Sequence, residues 1–531
     1  MRSIDEKGGG GVRAVRWIVA LMLCALLPLI GWGEEGPAAQ EDRIALRALL
    51  VGCDHFQSQP DTWPAASRNV EMLSEALMRD ERDYALIRSY ADGLSSVEQL
   101  YLAVLEAFGD AQEGDVSLLY IGTHGVFDEG GSNAGAALIL SDGEGEELLY
   151  APMLEDILDA IPGQKVVILD ACNSGAFIGK GLSGGADRIF FSGPDYKVLC
   201  SAGGSEASWY FQSTQETSAA GASYFATVLA DGLGSGGDFA ADVNADGRIT
   251  LKEVYAYLTE NYAASTPQVY PQNDGDFVLF AYDADAERAI GKAVTDITFE
   301  DTLLTAGESS VAFSLTVRRQ VELYYQIVYH ENGAWQFEQA QHFLDGEQPD
   351  GTVLPGRKIR TLALNTVGED AYGYAIIQLI TLEEGRPVLQ GARLLCVQPD
   401  VGPVSLNVAT DPAFVPGLGQ ELCILAQHDV PCGLTVNILD ADGQLVRRLA
   451  YETPSRPQQL SPNASSFYWD GRSNGGDMAP PGLYTVQLRV RLGDSLYVRE
   501  SAPVELLSLA EAEALEAVEA VDMQEADTQG E

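Results

Sequence analysis

The chain has 531 residues, too many for one hydrophobic core, so several domains are expected. A hydrophobic fraction of 46% excludes general disorder. The 78 Asp and Glu against 32 Lys and Arg leave a formal net charge of −46, a surface that repels phosphate backbones, argues against a nucleic-acid partner and draws in cationic substrates or calcium.

Residues 1–33 read as an export signal. Arg13 and Arg16 precede the apolar run Trp17–Trp32, and Gly31 and Gly33 stand before Glu34 and Glu35. The run is short of the roughly 20 residues of a stable membrane span. Cleaved after Gly33 or kept as an N-terminal anchor, it places the rest of the chain outside the cytoplasm. Beyond Cys24 the cysteines are Cys53, Cys172, Cys200, Cys396, Cys423 and Cys432, too few for a disulfide scaffold at this length. Cys423 and Cys432, between two apparent strands, are a candidate pair.

Residues 43–285 alternate apolar runs with amphipathic stretches, the pattern of a mostly parallel sheet with helices on both faces. The expected buried strands are Ala48–Cys53, Val116–Ile121, Ala137–Leu140, Val166–Leu169 and Val198–Ser201. Helical spacing marks Asn69–Met78, Val97–Phe108, Met153–Ile161 and Tyr224–Leu233. From 295 to 400 the apolar residues alternate with period two, as in Val321–Tyr329, and Asn332-Gly333 reads as a hairpin turn, so this stretch is expected to be an all-β sandwich. Residues 401–507 are β-rich as well. There Gly443, Trp469, Asp470, Gly471, Gly482 and Tyr484 give a pattern that resembles the Ig-like domain of flagellar hook-capping proteins. That resemblance implies a structural or adhesive module able to contact a cell surface, with no chemistry attached. Residues 508–531 form an acidic tail.

Two of the apolar strands end in reactive residues. Val116–Ile121 runs into Gly122-Thr123-His124-Gly125, and Lys165–Leu169 runs into Asp170-Ala171-Cys172-Asn173-Ser174-Gly175. In an open parallel sheet, ligands bind beyond the carboxyl ends of the strands, so both endings are expected in one crevice. A thiol needs a base to become a strong nucleophile, and an imidazole on a neighbouring strand end supplies it. Flanking glycines leave the backbone N–H groups of Gly125 and Cys172 open to a developing oxyanion. Ser201, ending the next strand, is a candidate substrate contact. The other histidine of this region, His55, lacks a glycine flank and is read as structural.

The order strand-His-Gly, a gap of about fifty residues, then strand-Asp-Ala-Cys-x-Ser-Gly resembles the caspase-type cysteine peptidases, a group that includes metacaspases, legumains, gingipains and clostripain-like enzymes. Arg47–Gly52, Lys197–Ala202 with Glu206, and Tyr224–Leu229 extend the likeness. By that resemblance His124 is the general base and acid, Cys172 the nucleophile, and Gly125 with Cys172 the oxyanion donors. The reaction is hydrolysis of a peptide bond in a protein or peptide substrate through a thioester. Asp170 stands where metacaspases and clostripain-like enzymes carry a carboxylate that helps bind Arg or Lys on the acyl side of the scissile bond. A buried carboxylate there pairs with guanidinium and rejects acidic side chains. Such peptidases are often made latent, and Lys180 and Arg188 are candidate self-processing sites. The alternatives are an inactive scaffold of the same fold, or transpeptidation by the same thiol chemistry.

A second motif spans 242–253. Asp242, Asn244, Asp246, Gly247, the carbonyl of Arg248 and Glu253 occupy the key positions of a twelve-residue EF-hand loop, so Ca2+ is expected there. No organic cofactor is expected.

Overall fold

The computed structural model describes residues 44–511 apart from 60–64, 128–131, 183–188, 211–221, 236–238, 263, 272–273, 285–291, 309, 332–333, 344–350, 365–372, 384–385, 419, 456 and 458–464. The export signal, Arg188, the Asn332-Gly333 turn and tail residues 512–531 lie outside the described residues.

The strands of the N-terminal half are β1 (Leu46–Gly52), β2 (Tyr84–Tyr90), β3 (Val116–Gly122), β4 (Gly125–Val126), β5 (Ala137–Ser141), β6 (Glu146–Tyr150), β7 (Gln164–Asp170), β8 (Tyr196–Cys200), β9 (Arg248–Thr250), β10 (Gln268–Tyr270) and β11 (Val278–Ala281). One sheet has the order β10-β8-β7-β3-β1-β2. Its pairings are parallel except for β10, which runs antiparallel to β8. The chain leaves β1 for β2 on one side and returns to β3 on the other, so the strand order reverses at β1, where such sheets open a ligand crevice.

The period of two along each strand sorts its side chains between two cores. Ala48, Leu50, Leu118, Tyr120, Val166 and Ile168 meet residues of helices Ala66–Leu77, Tyr224–Gly232 and Leu251–Asn261. Leu49, Val51, Leu119, Ile121, Val167 and Leu169 meet residues of helices Val97–Phe108 and Ala151–Leu158. Both faces are thus dry, which is why these strands read as unbroken apolar runs.

Two expectations need correction. Ala137–Leu140 is not a strand of this sheet; β5 pairs antiparallel with β4 and β6 in a small separate sheet. Its residues are as buried as those of a central strand, so composition alone did not separate the two cases. Strand β2 went unread because, as the edge, it is only partly buried and carries Arg88 and Ser89 among its apolar residues.

Beyond residue 292 the chain is nearly all strand. Ser310–Val317 and Gly356–Ala363 contribute Val311, Phe313, Leu315 and Leu362 to one core, and the facing sheet adds Leu323, Ile327, Ile377, Leu379 and Leu395. Further on, Leu422, Ile424 and Trp469 share a core with Val436, Ile438, Val486 and Leu488. Trp469 is fully buried, its indole N–H donating to the Arg472 carbonyl at 2.8 Å. The chain is therefore sheet-rich and multidomain. Cys423 and Cys432 are both free thiols, on Leu422–His428 and Cys432–Asp440 of two different sheets. That overturns the expected pair.

Candidate active site

The register of the sheet levels three strand ends. Gly52 lies opposite Gly122, and Gly122 opposite Asp170. The backbone continues the ladder beyond them, Cys53 N–H donating to the Gly122 carbonyl at 2.9 Å and Thr123 N–H to the Asp170 carbonyl at 3.1 Å. His124 and Cys172 leave adjacent strands at the same edge and line one cleft of about 260 Å³. Asp54, Phe56, Asn69, Asp170, Ser208, Trp209, Tyr210 and Ser223 complete much of its wall.

Local chemistry holds each loop in place. Asp54 accepts the N–H groups of Ala65, Ala66 and Ser67 at 2.6–2.8 Å, capping from a distance a helix whose own first residues offer no side-chain cap. That fixes the path from β1 to the cleft and sets the Phe56 ring 4.5 Å from the His124 imidazole. Gly125 packs directly on the nucleophile loop: a methyl group there would lie 1.7 Å from the Cys172 carbonyl oxygen. The glycine after the histidine is therefore demanded by close approach of two main chains. Just past the cysteine, Asn173 takes a left-handed conformation (φ 58°) and turns the chain sharply into residues 174–178. Its backbone N–H donates to the Glu206 carbonyl at 2.7 Å and its amide to that of Gly204 at 2.9 Å.

The Cys172 thiol faces the Ser208 carbonyl at 3.7 Å. Burial pushes it above the ordinary thiol value, and the negative charges of Asp170 and Glu206 add to that. Burial pulls His124 the other way, below 6.5, opposed by the Glu146 carboxylate. Burial thus favours the uncharged form of both groups.

Asp170 is buried at the base of the cleft. Its Oδ2 accepts from Tyr120 at 3.1 Å, Asn69 at 3.4 Å and the Ser223 hydroxyl, and its Oδ1 from Ser208 at 3.3 Å. Gly122 makes room for this arrangement, since a methyl group there would come within 2.6 Å of the Tyr120 hydroxyl. Among the described residues no Lys or Arg pairs with Asp170, and burial raises its carboxyl above the usual range. Ser201 is elsewhere. It is fully buried behind the loop, where its hydroxyl accepts from the Ala171 N–H at 3.0 Å and faces the Ala171 carbonyl at 3.2 Å. It braces the Cys172 loop and acts on the Asp170 carboxyl, while the cleft itself is lined by other residues. Lys180 is also tucked in, its side chain 12% exposed, so it is not presented as a cleavage site. Sequence reading missed Phe56, Ser208, Trp209 and Tyr210, which line the cleft from loops, and Glu146 of β6, whose charge acts on His124; none has a fixed spacing to His124 or Cys172.

A larger hollow of about 680 Å³ lies where helix Leu251–Asn261 meets the C-terminal sheets; Glu206 and Tyr262 line it, but neither dyad residue does.

The loop at 242–253 is shaped by its own side chains. Asp242 accepts the Gly247 N–H at 2.9 Å and the Tyr282 hydroxyl at 2.7 Å, Asn244 the Asp246 N–H at 2.9 Å, and Asp246 the Arg248 N–H at 2.8 Å. Gly247 has φ 83°, and a methyl group on it would meet the Tyr282 carbonyl at 2.7 Å. Glu253 closes a capping box with Thr250 at the start of the next helix. Among the described residues no group of three or more His, Cys, Asp or Glu stands close enough together to hold a metal. Glu253 is directed to its helix cap and away from the side chains of Asp242, Asn244 and Asp246, which hold the turn.

Residues 431–494 match the family described as FlgD Ig-like domain. No curated protein matches the chain. Among solved structures, caspase-1 from Spodoptera frugiperda is similar at 15% identity and a TM-score of 0.29, over 45% of this chain and 94% of that one.

Proposed function

We propose that this chain is an exported cysteine endopeptidase in which Cys172 attacks the peptide carbonyl and His124 takes and returns the proton. The observation that carries the reading is the placement of both residues past the level ends of adjacent strands, in one cleft with a buried carboxylate at its base. Attack forms a C–S bond and moves the thiol proton to the imidazole. Collapse expels the amine, which leaves with that proton, and water then releases the acid from the thioester. The N–H groups of Cys172 and Gly125 would face the oxyanion. Asp170, held among the described residues by neutral donors and paired there with no Lys or Arg, is suited to an Arg or Lys side chain of the substrate. Calcium would be held by Asp242, Asn244, Asp246, the Arg248 carbonyl and Glu253, with Glu253 leaving its cap. The FlgD-type region would contact a cell surface.

The test is turnover of matched peptides ending in Arg, Lys or Asp, with an Arg-based thiol-reactive probe as a second readout. Arg and Lys peptides are expected to be cleaved faster, with labelling abolished in Cys172→Ala. Faster Asp cleavage would remove the role given to Asp170. Failure of Cys172 to label would favour a scaffold, and amine-dependent product would favour transpeptidation.

A further inference from the structure

The loop after the nucleophile is gripped from the far end of the chain. Lys180 N–H donates to the Gly175 carbonyl at 2.8 Å, and its own carbonyl accepts the Gly204 N–H at 2.8 Å. Ser205 N–H donates to the Gly181 carbonyl at 2.9 Å. These bonds tie residues 175–181 to the segment that carries Ser208, whose carbonyl faces Cys172 and whose hydroxyl faces Asp170. The Lys180 side chain then leaves the peptidase-like region. Its ammonium donates to the Val269 carbonyl of β10 at 2.8 Å, lies 3.5 Å from Glu421, and sits 4.5 Å over the Tyr468 ring. Tyr468 in turn donates to the buried Gln268 of β10 at 2.5 Å. The Lys180 and Glu421 side chains are 12% and 8% exposed.

We propose that Lys180, Glu421 and Tyr468 form a latch through which the C-terminal β region positions the Cys172 loop. This rests on the peptidase reading for its effect on turnover, and on geometry alone for its effect on the thiol. A cation buried at a junction stays only if paired, and here both a carboxylate and an aromatic face come from the same neighbour. Releasing Lys180 loosens 175–181 and, through Gly204 and Ser205, the wall beside Cys172. Displacements of an ångström there are costly to a reacting pair. All three are positioning residues. Burial and the nearby Asp470 push the Glu421 carboxyl up to about 7, opposed by Lys180. Cys423 on the strand that begins just after Glu421, Cys200 of β8, Tyr255 from helix Leu251–Asn261 and Tyr468 are further titratable groups around the pair. The latch is therefore closed above pH 7 and opens as Glu421 takes a proton.

Glu421→Gln and Tyr468→Leu test this in the full chain. With Arg peptides, kcat is expected to fall about fivefold or more with KM little changed. The wild-type rise in kcat through about pH 7 should vanish in Glu421→Gln. Alkylation of Cys172 by iodoacetamide gives a readout that needs no peptidase activity, and its rate should shift in both variants. Wild-type kcat, pH profile and alkylation rate in both folded variants would overturn the latch. A lowered melting temperature with those three unchanged would also overturn it, as a purely structural contact. Altered alkylation with no turnover in any form, wild type included, would uphold the latch and sink the peptidase reading instead.

Discussion

At the residue scale the site is governed by burial. The same dry surroundings that lift the Cys172 thiol lower His124, so the two do not form an ion pair at rest. A histidine with a lowered value stays neutral, and competent as a base, until the pH falls below 6.5. In Glu421→Gln, where the latch no longer titrates, kcat/KM is expected to hold steady from pH 8 down to about 6.5 and to fall only below it. Glu146 opposes the lowering, so adding Glu146→Gln should move that limb to still lower pH. A pH profile of kcat/KM checks both, and a limb above 6.5 would contradict the neutral-pair arrangement. Asp170 shows the same physics with the other sign. Its carboxyl is raised by burial, against the hydrogen bonds of Ser223, Tyr120, Ser201 and Ser208, which favour the charged form.

At the element scale, the loop at 242–253 connects two structural duties. Arg248–Thr250 pairs antiparallel with Val278–Ala281, Ile249 is fully buried, and Thr250 with Glu253 starts the next helix. Calcium should raise the melting temperature of the wild-type chain, because binding to the folded state stabilises it by about 2.7 kcal/mol at a hundredfold excess over Kd. In Asp242→Ala/Glu253→Ala the starting melting temperature will also drop, since both side chains hold the turn or the cap. The informative quantity is the calcium-dependent increment, which should disappear. An increment equal to that of the wild type would refute the site.

At the scale of the whole molecule, the six-stranded sheet of the N-terminal half does not end its core at its own helices. Tyr224, on the helix that follows Ser223, donates to Gln378 at 2.6 Å, and Gln378 donates to Gln326 at 2.6 Å. Tyr324, Ile376 and Ile380 of the same β region pack into the core that holds Leu50 and Ile168. Both glutamines are buried, so Gln378→Leu strips partners from groups that cannot turn to water. The expected cost is about 1–3 kcal/mol. Because the core is shared, loss of turnover and loss of circular dichroism should shift together in denaturant. A shift in dichroism alone would mean the two regions unfold separately.

The sequence by itself determined the local features: the central strands β1, β3, β7 and β8 from their apolar runs, the helices from their periodicity, and the placement of His124 and Cys172 just past the ends of two apolar strands. These are legible because each depends on neighbours along the chain. The turn at Gly247 was legible for the same reason, the side chains of Asp242, Asn244 and Asp246 that accept its N–H groups lying within one dozen residues. Tertiary structure alone decided that the Ser201 hydroxyl meets the Ala171 backbone, that Cys423 and Cys432 stay apart, that β5 leaves the main sheet, and that Phe56 and Ser208 line the cleft with His124 and Cys172. It also turned Lys180 from an expected cleavage point into a buried contact with Glu421 and Tyr468, more than 200 residues away. Side chains that meet only after strands and sheets have packed leave no spacing in the sequence by which to find them.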